Sequence, residues 1–295
     1  METSVYIKNQ SLTEDKLSIE EKMVQFYDEA TQDYAFWSTS QNMHFGYFRF
    51  LKTNPLRRDS MLNEMNNQII KRIKINTTKN IVVDLGCGMG ATMRQALNKN
   101  PNLSMIGVTL SNFQVKEGNK LLKNLKGIIL KEDYTNTSLL NSSADGVIAI
   151  ESFCHRGHDM KSLQEAYRIL KPGKQLVIAD AFLKKSPNKL CYGSNFCHKK
   201  MCKKWHLQSL GEINEIKKNL LKNGFRKVEI EDVSMRVMPS VLHVPFTVIG
   251  FPIKKLLENK PVKKQSWKNI TASLYALLSG LHRKAFGYYI VTATK

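Results

Sequence analysis

The stretch from Asn80 to Thr92, NIVVDLGCGMGAT, constrains this chain more than any other. Ile81, Val82, Val83 and Leu85 form a short apolar run rich in β-branched residues, the pattern of a central strand buried on both faces. Glycines follow at Gly86, Gly88 and Gly90. Lacking a Cβ, they permit a sharp turn and let backbone N–H groups close on a ligand, and a helix from Ala91 onward would aim its positive end at the same place. The spacing fits a nucleotide-type turn, although ordinary strand-to-helix loops also produce it. No Lys-Ser or Lys-Thr pair follows the glycines, which argues against a P-loop and its triphosphate.

Strand and helix patterns alternate along the chain. Further strands are expected at Met105 to Leu110, Gly127 to Lys131, Ala144 to Ile150, Gln175 to Ala179, Phe225 to Ile230 and Phe286 to Ala293. Ala91 to Leu97 reads as a crossover helix ended by Pro101 and Asn102. Leu163, Ala166, Ile169 and Leu170 share another helical face, closed by Lys171-Pro172-Gly173. Before the first strand, Ser18 and Glu21 form a capping box for a helix with Met23, Phe26, Tyr27 and Ala30 at helical spacing. A second amphipathic helix, carrying Met61, Leu62, Met65, Ile69 and Ile70, leads into the glycine stretch.

Asp84 with Gly86, Gly88 and Gly90 completes D-x-G-x-G-x-G after an apolar strand. In this the chain resembles the class I S-adenosylmethionine-dependent methyltransferases. Tyr27-Asp28, Tyr34, Trp37 and His44-Phe45-Gly46-Tyr47 resemble the leading segment of their sterol, tocopherol and cyclopropane-fatty-acid group. The resemblance implies an α/β fold: a Rossmann-like seven-stranded, mostly parallel sheet with an N-terminal helical cover and a helical insertion between the last two strands. The expected division is a cover over 1–70, a cofactor-binding core over 71–185, a lid and core continuation over 186–235, a helical cap over 236–285 and the last strand over 286–295. It further implies S-adenosyl-L-methionine as cofactor, held by Tyr27, Tyr34, Asp84, Gly86, Gly88, Gly90, Thr109, Leu110, Gln114, Asp133, Tyr134 and Glu151. Thr109 stands where many dinucleotide binders place an acid, and the string G-x-T-L-S-x-x-Q resembles the cyclopropane-fatty-acid synthase branch. Ser111 and Gln114 also read as a capping box for the next helix. Lys174 departs from the second glycine usual after the L-K-P-G turn.

The fourth strand ends in Glu151-Ser152-Phe153-Cys154-His155, and open α/β sheets place their chemistry outside such ends. Glu151, His155 and His44 are the candidate catalytic residues: the histidines for a hydroxyl or amine acceptor, Glu151 with aromatic neighbours for an alkene. Forty-five Lys and Arg against 25 Asp and Glu give a net charge of +20, which suits nucleic acid, anionic lipid or neither. The Glu151-Ser152-Phe153 end lacks the N-P-P-Y or D-P-P-Y string of base-amino methyltransferases, so methyl transfer to a carbon or oxygen of a small lipophilic acceptor is expected, with a nucleic-acid methyltransferase using the basic surface or a catalytically silent cofactor-binding protein as the alternatives. The segment 239–284 is apolar and basic, fit to cap a greasy pocket, to touch an anionic membrane or simply to pack on the core. No apolar run reaches spanning length, and the N-terminus reads as no signal peptide; a cytoplasmic location is expected. Five cysteines suggest no disulfide framework. From Asp180 to His206, seven lysines face one acid, which reads as a mobile solvated lid; Cys191, Cys197, Cys202 and His206 lack zinc-site spacing, and no metal is expected.

Overall fold

The structure, a computed structural model, describes residues 19–75 and 79–295. The chain opens with α1 (Ile19–Ala30), a 3-10 turn (Thr31–Phe36) and α2 (Arg58–Arg72). The alternating part runs β1 (Asn80–Leu85), α3 (Ala91–Lys99), β2 (Leu103–Thr109), α4 (Asn112–Leu121), β3 (Gly127–Lys131), β4 (Ala144–Ile150), α5 (Met160–Ile169) and β5 (Leu170–Leu183). Then come α6 (Tyr192–Trp205), α7 (Ile213–Lys222), β6 (Arg226–Asp232), the inserted helices α8 (Ser234–Val241), α9 (Val244–Leu257) and α10 (Lys264–Leu281), and β7 (Phe286–Thr294).

The seven strands form one sheet in the order β3-β2-β1-β4-β5-β7-β6. The β1–β2, β2–β3, β1–β4 and β4–β5 pairs are parallel, and β7 runs antiparallel to both β5 and β6. Because successive strand residues face opposite ways, β1 feeds two cores. Val83 and Leu85 pack with α5 and α7 through Leu163, Ala166, Ile216 and Leu220. Val82 packs with α2 and α3 through Met65, Ile69, Met93 and Ala96. This double burial makes β1 and β4 the rigid floor of the molecule, and the strand order reverses between them.

Several expectations change. Ile81 is 38% exposed near the amino end of β1, so only Val82, Val83 and Leu85 of that run are core. Leu170 leaves the α5 face to begin β5. Ser18 lies outside the described residues. The stretch read as a solvated lid is instead mostly α6, which buries Ser194, Cys197, Met201 and Cys202 and packs along α10, with the Trp205 indole donating to Asn269 at 2.8 Å. Lysines dominate its composition while smaller apolar residues at i, i+4 and i+5 set its packing. Ser234–Leu257 is long and apolar enough to span a membrane by length and composition, contrary to the sequence expectation. It is broken between α8 and α9, and Val237, Ser240, Val244 and Phe251 are buried, so it lies along the domain.

Candidate active site

A narrow cleft opens at the carboxyl ends of β1 and β4, the switch point where doubly wound sheets bind ligands. The glycine turn forms its floor. Gly86 and Gly88 have φ of +90° and +54°, backbone that L side chains rarely adopt. A Cβ on Gly86 would stand 2.3 Å from that of Ser152, whose hydroxyl donates to the Leu85 carbonyl at 2.6 Å and ties β1 to β4. A Cβ on Gly88 would meet the Met43 sulfur at 3.0 Å. Asp84 is buried beside this turn and makes no hydrogen bond to another described residue; burial pushes its carboxyl up to about 7. At the β2 end, Thr109 donates to Gln114 Oε1 at 2.6 Å, and Gln114 Nε2 donates to Thr31 at 3.0 Å. Ser111 Oγ accepts from the Gln114 amide at 3.1 Å, so the capping box and the cleft wall are one structure.

These residues fit an S-adenosylmethionine-type cofactor chemically: backbone N–H groups at a helix start, an unpaired buried carboxylate, and hydroxyl and amide groups at the second strand. The cleft volume is only about 90 Å³, because Met23, Val24 and Tyr27 of α1 and Met43 cover it. Ligand pockets for molecules of this size run to roughly 300–1,000 Å³. Room for a nucleoside would come from displacement of this cover, α1 and Met43. The helix is tied down by Ser111 donating to Asp28 and by the Tyr27 hydroxyl, 2.7 Å from His155 Nε2. Tyr27→Phe deletes the second tie, worth about 1 kcal/mol, and residues 19–30 are expected to exchange amide hydrogens several-fold faster than wild type. Unchanged exchange there would contradict α1 as the moving cover.

Beside the cleft lies a larger cavity of about 690 Å³, walled by the N-terminal cover and α8–α10. Tyr27, Met43, His44, Glu151 and His155 line both spaces, which therefore meet at the β4 end. Glu151 has φ of +47°, and its Oε1 accepts from the Phe45 amide at 2.7 Å and the Tyr288 hydroxyl at 2.8 Å. Burial pushes this carboxyl up to about 8, with the Asp180 carboxylate adding to the rise and the Phe45 bond opposing it. His155 is driven the other way: burial pushes its imidazole down to about 4, leaving it neutral at physiological pH, and Nδ1 has no partner among the described residues. His44 is also lowered by burial, and both its ring nitrogens are engaged, with the Phe45 carbonyl at 2.9 Å and Asn66 Oδ1 at 3.0 Å. Such a histidine anchors the turn that carries the Phe45 amide to Glu151.

The cleft thus gathers Tyr27, His44, Asp84, Gly86, Gly88, Thr109, Leu110, Gln114, Tyr134, Glu151 and His155. Three sequence candidates sit elsewhere. Gly90, at φ +71°, turns the chain into α3, where a Cβ would press on Ile129. Asp133 pairs with Arg156 at 3.2 Å and caps the Thr135 amide, outside the cleft lining. Tyr34 lines the larger cavity only. Sequence reasoning missed Met43, Ser152, Asp180 and Tyr288. Asp180 is a lone acid inside the apolar run of β5, between Ala179 and Ala181, a signal that was available; Asp180 Oδ2 accepts from the Cys154 amide at 3.0 Å and lies 3.1 Å from His158. Tyr288 arrives on the antiparallel strand and carries no such mark. Among the described residues no group of three or more His, Cys, Asp or Glu converges to hold a metal ion.

Comparison with known proteins agrees with this fold and with methyl transfer. A family model described as a methyltransferase domain matches residues 82–173. An O-methyltransferase of Pyrenophora dematioidea is 26% identical over 265 residues, covering 86% of this chain and 88% of that one. A cycloartenol-C-24-methyltransferase of Arabidopsis thaliana is 33% identical over 98 residues, 32% of this chain and 29% of its own. The cyclopropane synthase MmaA2 from Mycobacterium tuberculosis shares the fold, with a TM-score of 0.78 and 16% identity over 93% of this chain and 98% of that one. The matched methyltransferase domain and the methyltransferase relatives mark this chain as an S-adenosylmethionine-dependent methyltransferase. Its sequence relatives include sterol C-methyltransferases and O-methyltransferases, while the cyclopropane synthase shares its fold.

Proposed function

We propose that the protein methylates an oxygen or carbon of a small lipophilic molecule held in the 690 Å³ cavity, with a hydroxyl as the favoured acceptor. The observation that carries this reading is Glu151, which sits where the two spaces meet and whose carboxyl lies near 8. Bound cofactor supplies the activated methyl group and the leaving group. Asp84, the glycine turn, Thr109, Gln114 and Tyr134 hold it, and α1 closes over it to exclude water. Glu151, ionised, accepts the hydroxyl proton as the acceptor oxygen is methylated, while Phe45 and Tyr288 fix its Oε1 so that Oε2 is the working oxygen. His155, poorly basic, positions Tyr27 and through it the cover.

The carbon reading draws on the aromatic walls Tyr34, Trp37 and Phe45, which suit a cationic centre. A nucleic-acid acceptor is disfavoured by the mainly apolar and aromatic lining of the cavity, which includes Phe36, Trp37, Phe45, Val237, Val241 and Phe251. The proposed setting is the cytoplasm, supported by five cysteines that are all free thiols. The test is incubation with methyl-labelled cofactor and separated lipid and aqueous cell extracts. Label is expected in an organic-soluble small molecule; label confined to nucleic acid overturns the substrate class, and absence of any calorimetric heat or thermal shift with S-adenosylmethionine overturns the enzyme reading itself.

A further inference from the structure

We infer that α9 rests on an anionic membrane surface and that the lipophilic acceptor enters the large cavity from that side. α9 is turned inside out. Phe246, Ile249, Ile253, Leu256 and Leu257 are 51% to 80% exposed, and at helical pitch they fall within an arc of about 100°. On the opposite side Val244 and Phe251 are buried, and Thr247 and Phe251 wall the cavity. The same helix therefore separates an apolar outer face from an apolar interior, and Leu242 and Leu281, both exposed, line the cavity mouth beside it.

Charge selects the occupant of this face. Residues 234–284 carry nine Lys and Arg against a single acid, Glu258; Lys254 and Lys260 both lie within 4 Å of that one carboxylate, at 3.8 and 3.6 Å, so it offsets a single charge between them, and their side chains stay 52% and 65% exposed at the end of α9. A second copy of this chain would bring the same nine cations against the first, whereas an anionic bilayer offers hydrocarbon to the leucines and phosphates to the lysines. A spanning helix does not fit, since the break between α8 and α9 and the buried Val237, Ser240 and Val244 keep the segment on the domain. Apolar faces of this size on a soluble chain mark an interaction site.

The route into the cavity rests on the proposed lipophilic substrate, whereas the docking does not, and flotation separates the two. The full chain is mixed with vesicles of phosphatidylcholine alone, or with about one-third phosphatidylglycerol, at low salt and at about 0.5 M NaCl. Binding is expected on the anionic vesicles, weakened by salt and by Lys254→Gln/Lys260→Gln. Ile249→Glu/Leu256→Glu is expected to lose roughly tenfold or more of vesicle affinity while its thermal shift with S-adenosylmethionine matches wild type. No flotation with either vesicle overturns the inference. So does equal binding to both compositions, or a dimer in sedimentation velocity that Ile249→Glu/Leu256→Glu dissolves.

Discussion

Glu151→Gln is expected to lower turnover by roughly 10²- to 10⁴-fold with S-adenosylmethionine affinity held within a few-fold. Glutamine keeps an oxygen to accept from the Phe45 amide and the Tyr288 hydroxyl, so the turn of the chain at β4 survives. What disappears is the group that takes the proton. With that carboxyl near 8, the wild-type rate on a hydroxyl acceptor climbs with pH until about 8 and then levels, whereas any residual rate of the variant lacks that rise. A stopped assay across pH 6 to 9 with labelled cofactor reads both, and a variant retaining full rate removes Glu151 from the chemistry. His155→Ala serves as the contrast. Its expected loss is smaller and comes through Tyr27 and the cover, so it raises the cofactor concentration needed as well as slowing turnover.

The same substitution acts on stability in the opposite direction. Glu151 and Asp84 have folded carboxyls near 8 and 7 against ordinary values of 4.5 and 3.8, so the folded state holds protons that the unfolded chain releases. Their contribution is complete below the unfolded values and is lost as pH rises through the folded ones. His155, lowered to about 4 from 6.5, contributes stability above 6.5 that is lost as pH falls through 4. Glu151→Gln stays neutral, and its melting temperature should fall less than that of wild type between pH 5 and 8. An activated site that costs stability is the usual trade-off.

The sheet was legible because its strands are fully buried apolar runs bounded by turn residues, and burial on both faces leaves little else such runs can be. The glycine turn was legible because a close approach and positive φ leave glycine few substitutes. Glu151 could be singled out because a polar residue at the end of a buried strand has nowhere to go but the site. Its partners were not legible. Phe45 reaches it from 106 residues upstream and Tyr288 from 137 residues downstream, and neither carries a local pattern that records the meeting. Asp133 shows another limit: its expected role came from the resemblance alone, and its pairing with Arg156 at 3.2 Å left no trace in the sequence. In α6 the lysines hid a packing face, because composition weighs every residue equally and burial does not.

Gly86→Ala is expected to cost about 2–5 kcal/mol and, with it, measurable cofactor binding. Two separate terms contribute. The backbone at φ +90° strains any residue with a Cβ, and that Cβ would lie 2.3 Å from Ser152 Cβ, at the join of β1 and β4 where the Leu85 carbonyl is already bonded. Gly173→Ala isolates the first term, since Gly173 has φ +75° with nothing within 4 Å of the added carbon. Thermal unfolding of the two variants beside wild type therefore weighs strain against packing. Gly86→Ala should melt several degrees below Gly173→Ala and show little or no shift with S-adenosylmethionine, while Gly173→Ala keeps its full shift. Equal melting points would mean that Ser152 gives way freely, and that the strand ends do not meet as tightly as a methyl-donor cleft at this position requires.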